Sequence, residues 1–136
     1  MNPVHRIQTP TCAVSLDEHG ICWLRFEEPN MPVPLEASEA IVAARRELGA
    51  SAEHPQLLCV DLANTPRPTK ESRDYTGGPE IRGITRAMAM VTPSTMSRVI
   101  GNFFLGFARG GFPTRLFSHE AEAVAWLLEQ AASAGR

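Results

Sequence analysis

Residues Ser94 to Phe107 read STMSRVIGNFFLGF and follow Thr92-Pro93. Met96, Val99, Ile100, Phe103, Phe104 and Phe107 recur at spacings that line one stripe of an α-helix and fit no strand. Thr92 is placed to cap the first turn, and Pro93 at the first helical position gives up a donor that has no partner there. Three phenylalanines on one stripe need a broad apolar partner, most simply a β-sheet. Truncating any one of them predicts a loss of about 3–5 kcal/mol. The opposite face carries Ser94, Arg98, Asn102, Leu105 and Arg109, polar except for one leucine between arginines.

The flanks of this helix define the rest. Before it, Arg86 to Thr92 (RAMAMVT) reads as a strand. After it, Gly110-Gly111-Phe112-Pro113 turns the chain into a short strand, Thr114 to Phe117. Ser118 then caps a last helix with Glu120 and Glu122 near its start. That helix is expected to bury Ala121, Val124, Ala125, Leu128 and Ala132, with Trp126 on its flank.

Towards the N-terminus, Gly77-Gly78-Pro79 ends a short charged helix, KESRDYT, opened by Thr69. Asn64 to Pro68 breaks the chain after an apolar strand, Gln56 to Leu62. Leu35 to Leu48 is a helix stopped by Gly49, burying Ala37, Ile41, Ala44 and Leu48, with Val42 at the margin. Glu27 to Pro34 holds three prolines and reads as a loop. Ala13–Leu16 and Ile21–Phe26 pair about a turn at Glu18–His19, with Gly20 supplying a positive φ. That register sets Cys22 against Ser15 and Cys12 against Arg25. Residues 1–10 show no periodicity and are expected as a loose lead-in to one domain over 11–132.

The order ββ-α-β-α-β-α-β-α predicts an α/β domain. We expect a mixed five-stranded sheet, right-handed βα crossovers and about four helices. The chain has 136 residues, 43% of them hydrophobic and 21% charged, with net charge −2. That is one globular domain with no basic excess to suggest nucleic acid. No apolar run reaches the length of a membrane span. The N-terminus lacks a signal-peptide pattern, which points to the cytoplasm. Cys12, Cys22 and Cys59 are expected as free, half-buried thiols.

Three segments carry a family resemblance: VDLAN (Val60–Asn64), TKESRDY (Thr69–Tyr75) and above all SRVIGNFFLGF…FPTRLFSHEAEAVAWL (Ser97–Leu127). Over roughly residues 12–130 the chain resembles the STAS domains, and more closely a group of small bacterial proteins with a STAS-like (SpoIIAA-like) fold. The resemblance implies a non-enzymatic regulator that binds another protein. In the anti-sigma-factor antagonists, a serine at the start of the helix after the third strand is phosphorylated by the partner kinase. The matching place here is Thr69, with Ser72 one turn on, in Arg-Pro-Thr-Lys-Glu-Ser rather than the antagonists' Asp-Ser-Ser-Gly-Leu. Phosphate there adds about −2 charge and disrupts docking.

Chemistry is weakly signalled. Thr69 reads either as a helix cap or as a switch. Arg67, Lys70 and Arg73 suit an anion or a solvated surface. Asp61, at the end of an inner strand, lies on the edge where α/β sheets place ligands, but with no neighbouring His, Lys or second carboxylate in the motif it reads as a loop-organising acceptor. His5, His19, His54 and His119 have no second ligand at metal spacing, so no metal and no cofactor is expected. No Ser–His–Asp set assembles, and Cys59 sits in an apolar run that disfavours a thiolate. The expectation is an interaction module that binds a protein partner, or a second copy as a homodimer. Its surfaces would be the Thr69 helix and the Arg98, Asn102, Leu105 and Arg109 face. The alternative is a carrier of a small apolar ligand or lipid, in a cavity under Phe103, Phe104 and Phe107.

Overall fold

A computed structural model describes residues 5–92 and 111–134. The helix expected over Ser94–Phe107, with its phenylalanines and its arginine-bearing face, lies outside the described residues.

The strands are β1 (His5–Gln8), β2 (Cys12–Leu16), β3 (Ile21–Phe26), β4 (Pro32–Val33), β5 (Gln56–Asp61), β6 (Arg67–Pro68), β7 (Thr85–Val91) and β8 (Thr114–Phe117). The described helices are α1 (Leu35–Glu47), α2 (Lys70–Thr76), α3 (Pro79–Ile84) and α4 (Glu120–Ala134). The main sheet has six strands in the order β1-β2-β3-β5-β7-β8, and β4 with β6 forms a separate two-stranded sheet. β1, β2 and β3 are antiparallel neighbours, while β3, β5, β7 and β8 run parallel. The expected α/β class and mixed sheet are present, with six strands in place of five. None of the described helices is long and apolar enough to cross a membrane.

The extra strand is β1, inside the stretch expected as a lead-in. It is a mostly exposed edge strand of sequence HRIQ, held by four residue pairs to β2. Only Ile7 packs on the core, so nothing in its own pattern announces a strand.

The β2–β3 register also differs from expectation. Leu16 faces Cys22 and Cys12 faces Phe26, one residue away from the expected pairing. Asp17 causes the shift. Its backbone N–H donates to Ile21 O at 3.0 Å, closing the loop one residue wider. Its Oδ1 accepts from His19 N (2.9 Å) and Ile21 N (3.0 Å), and its Oδ2 accepts from Trp23 Nε1 (2.8 Å). One buried carboxylate thus satisfies three donors and fixes the turn. Gly20, at φ 80°, takes the left-handed conformation expected of it.

Strand alternation divides the core between two faces. Leu24, Phe26, Leu58, Val60, Met88 and Met90 pack under α1 with Ala37, Ile41 and Ala44. Ile21, Trp23, Leu57, Cys59, Ala87, Ala89 and Val91 face α4, which buries Ala123 and Leu127 completely. The α4 face predicted from spacing is met only at Val124, which packs on this cluster: Ala121, Ala125 and Ala132 are exposed, and Leu128 is 37% exposed. This helix is apolar most of the way round, so its spacing offers two stripes. Docking on the small residues of β7, together with Trp126 against the Phe117 ring at 5.7 Å, selects the other one.

α1 ends as expected before Gly49, which sits at φ 109°. Pro79 does not merely terminate α2. It starts α3, whose Ile81 and Ile84 pack with Val42 and Ala50 as a satellite cluster.

Candidate functional site

Two loops at the C-terminal edge of β3 and β5 are locked together. Asn30 N donates to Asn64 O (2.8 Å), Arg67 N to Met31 O (2.9 Å) and Thr69 N to Val33 O (3.1 Å). Side chains add to these bonds: Thr65 Oγ1 to Asn30 Oδ1 at 2.7 Å, and Asn64 Nδ2 to Phe26 O at 2.7 Å. The pairing of β4 with β6 is part of this clasp. Asn30 (φ 56°) and Thr65 (φ 43°) both adopt the left-handed region, which is unfavourable for a β-branched threonine. Strain of this kind persists only where surrounding bonds over-determine it.

The clasp delivers the chain into α2. Thr69 is its N-cap, with Oγ1 accepting from Ser72 N at 3.2 Å. Ser72 points inward, 1% exposed, and its hydroxyl bonds that of Ser38 on α1. The three basic residues do not converge. Lys70 pairs with Asp74 at 3.0 Å, Arg73 Nη1 donates to Pro68 O at 3.0 Å, and Arg67 is exposed. Arg98, Asn102, Leu105 and Arg109 lie outside the described residues, as does the cavity expected under Phe103, Phe104 and Phe107.

Asp61 at the same sheet edge is an organiser. Its Oδ1 accepts from Ala63 N at 2.9 Å, and its Oδ2 meets Arg25 at 2.9 Å. Arg25 also reaches Glu120 of α4 at 3.0 Å and lies 4.7 Å over the Trp23 ring. This half-exposed cluster ties α4 to the sheet.

Spacing did not single out Arg45, which is 1% exposed on α1. Its Nε donates to Gln56 Oε1 (3.1 Å), and its Nη2 to Ile84 O (3.0 Å) and Thr85 Oγ1 (3.0 Å). Gln56 Nε2 returns a bond to Arg45 O at 3.3 Å. Burial lowers the guanidinium to about 10, which leaves it charged at neutral pH. The signal was present, because Arg45 follows Ala37 and Ile41 at four-residue steps on the buried stripe.

Burial pushes the thiols of Cys12 and Cys59 up to about 12 and that of Cys22 to about 11. All three are free, and none is a thiolate at neutral pH. Among the described residues no three His, Cys, Asp or Glu side chains gather as a metal site.

Residues 14–131 of this chain match the family model of the domain of unknown function DUF7793. The chain belongs to that family. No curated protein and no solved structure matches it. The DUF7793 match runs from β2 into α4, so it takes in the clasp, α2 and Arg45 and leaves β1 outside.

Proposed function

We propose that the chain is a non-enzymatic, STAS-like regulatory module of the bacterial cytoplasm. It binds a protein partner, or a second copy of itself, through the clasped loops and α2. The observation that carries this reading is the clasp. Five bonds of the clasp fix the backbone through Arg67 to Thr69, where Arg67 is exposed and Thr69 half-buried, and a pre-ordered surface loses less conformational entropy on binding. Arg98, Asn102, Leu105 and Arg109, which the sequence pattern alone puts on one face, are the second surface of the same proposal. Thr69 is the residue at which phosphorylation would switch docking. A phosphate there would take the oxygen that now caps α2 and place new negative charge beside Glu71.

Affinity capture from the native host, with phosphosite mapping of the bait, tests the proposal. A specific partner should be retained by the wild type and lost with Arg67→Glu plus Lys70→Glu, with Tm nearly unchanged. Leu105→Glu should likewise remove partner or dimer binding. A complex indifferent to both surfaces overturns the proposal. The carrier reading for a small apolar ligand is tested by native mass spectrometry of freshly purified protein, where a co-purifying apolar ligand would support it.

A further inference from the structure

β1 ends the main sheet, and its outer edge is unpaired among the described strands. The hairpin bonds fix which of its backbone groups face that edge. Thr9 N donates to Cys12 O at 2.9 Å, so Thr9, Ile7 and His5 turn their N–H and C=O groups towards β2. The other side of β2 has the same parity. Asp17 N donates to Ile21 O (3.0 Å) and Glu27 N to Thr11 O (3.4 Å), which commits Ala13 and Ser15 to β3 and leaves Cys12, Val14 and Leu16 for β1. Arg6 and Gln8 therefore aim two N–H and two C=O groups outward, with no partner for any of the four among the described residues. A row of this kind is a template for another strand.

The side chains make the edge self-complementary. Ile7, opposite Val14, is half-buried beside Leu16 and Leu48 at the margin of the α1-side core. An open groove runs past these three between β1 and the end of α1. On the other face Arg6 is exposed and donates from Nη2 to Gln8 Oε1 at 3.2 Å. Gln8 Nε2 in turn donates to the exposed Glu27 carboxylate. Neither Arg6 nor Glu27 has an ion-pair partner among the described residues.

We propose that the β1 edge pairs antiparallel with the β1 edge of a second copy about a twofold axis at Ile7, joining two six-stranded sheets into one. In that register Arg6 of each copy exchanges N–H···O bonds with Gln8 of the other, which satisfies every outward group. The two Ile7 residues form the non-hydrogen-bonded pair at the axis, where side chains approach most closely, and extend the apolar margin across the interface. Arg6 of each copy also comes beside the Gln8 that holds Glu27 of the other, so opposite charges meet. The two Arg6 residues stay diagonal to one another. An unrelated peptide could satisfy the backbone groups, but a second copy supplies the isoleucine and the arginine in the same register. None of these residues belongs to the clasp or to α2, so the dimer stands apart from the function proposed above.

Sedimentation of the full chain over a range of concentrations, with disulfide trapping, tests the assignment. The wild type should form a reversible dimer. Ile7→Cys should give a covalent dimer on mild oxidation, because a facing non-hydrogen-bonded pair has its Cα atoms about 4.5 Å apart, within disulfide range. Gln8→Cys should not, since its diagonal counterpart lies about 7–8 Å away. The three native thiols are buried and do not compete. Arg6→Glu, acting at two symmetric contacts, should weaken association about tenfold, and adding Glu27→Arg should restore it. Arg67→Glu plus Lys70→Glu should leave this dimer intact. Three results would each overturn the assignment. They are a chain still monomeric at about 1 mM, a dimer in which Gln8→Cys cross-links as readily as Ile7→Cys, and a dimer indifferent to Arg6→Glu but lost with the Arg67 and Lys70 changes.

Discussion

The two faces of the sheet are packed by different means. On the α4 side, β7 contributes Ala87, Ala89 and Val91, and the helix answers with Ala123 and Leu127, all within 5% of full burial. On the α1 side the same strand contributes Met88 and Met90, met by Leu58, Phe26 and Ile41. Small residues against a helix leave little freedom in how it seats. Large flexible ones fill space less evenly, and the cavity and the buried Arg45 are both on that side. Alternation along one strand therefore separates a tightly set face from one that retains a cavity.

Truncation should break the comparison most visibly. Leu127→Ala removes the one large side chain that α4 buries completely, and should cost about 3–5 kcal/mol in chemical denaturation. Leu58→Ala, which widens an existing cavity, should fall nearer 2–3 kcal/mol. If the two were equal, the faces would not differ in their ability to relax. Enlargement should reverse the sensitivity. Ala89→Leu should cost about 1–3 kcal/mol, whereas Val33→Ile, which adds one methylene beside the cavity, should stay within about 1 kcal/mol of wild type.

Alkaline titration sharpens the contrast further. The buried thiols have native pKa values raised from 9.0 to about 11 or 12, so above pH 9 the unfolded chain gives up protons that the folded chain keeps. Stability is then fully present below pH 9 and falls as pH rises towards 11–12. Arg45, lowered from 12.5 to about 10, acts with the opposite sign, because above pH 10 the folded state loses its proton first. On the α1 side Arg45 therefore offsets Cys22, while Cys59 on the α4 side is unopposed. Cys59→Ala should flatten the decline above pH 9 more than Cys22→Ala, as read by denaturation midpoints across pH 8–11. The smallest effect should come from the rim. Thr69→Ala removes the cap of a seven-residue helix and should cost about 1 kcal/mol while leaving both faces intact.

Much of this architecture is legible in the sequence, and the failures have physical causes. Alternation places Ile21 and Trp23 on one face and Cys22, Leu24 and Phe26 on the other, as observed. Thr114–Phe117 and the Lys70–Thr76 helix fall where turn and cap residues put them. β1 was not legible because an edge strand with one inward residue takes its conformation from its neighbour. The face of α4 was not legible because alanine does not discriminate between stripes, and a tertiary contact decided it. The site was less legible than the fold. Thr69 as a cap follows from local chemistry, and it is observed. The clasp joins residues more than thirty positions apart, and the neutral partners of Arg45 come from three other elements, so no local pattern contains either.

The clasp has a mechanical consequence. α1 and α2 both leave the sheet edge from the same knot of bonds, Val33 opening into one and Thr69 into the other, with Ser38 and Ser72 fastened a turn further along. Levering either helix outward strains the other's anchorage, so the pair should yield together in a single hinge-like event rather than fray one by one.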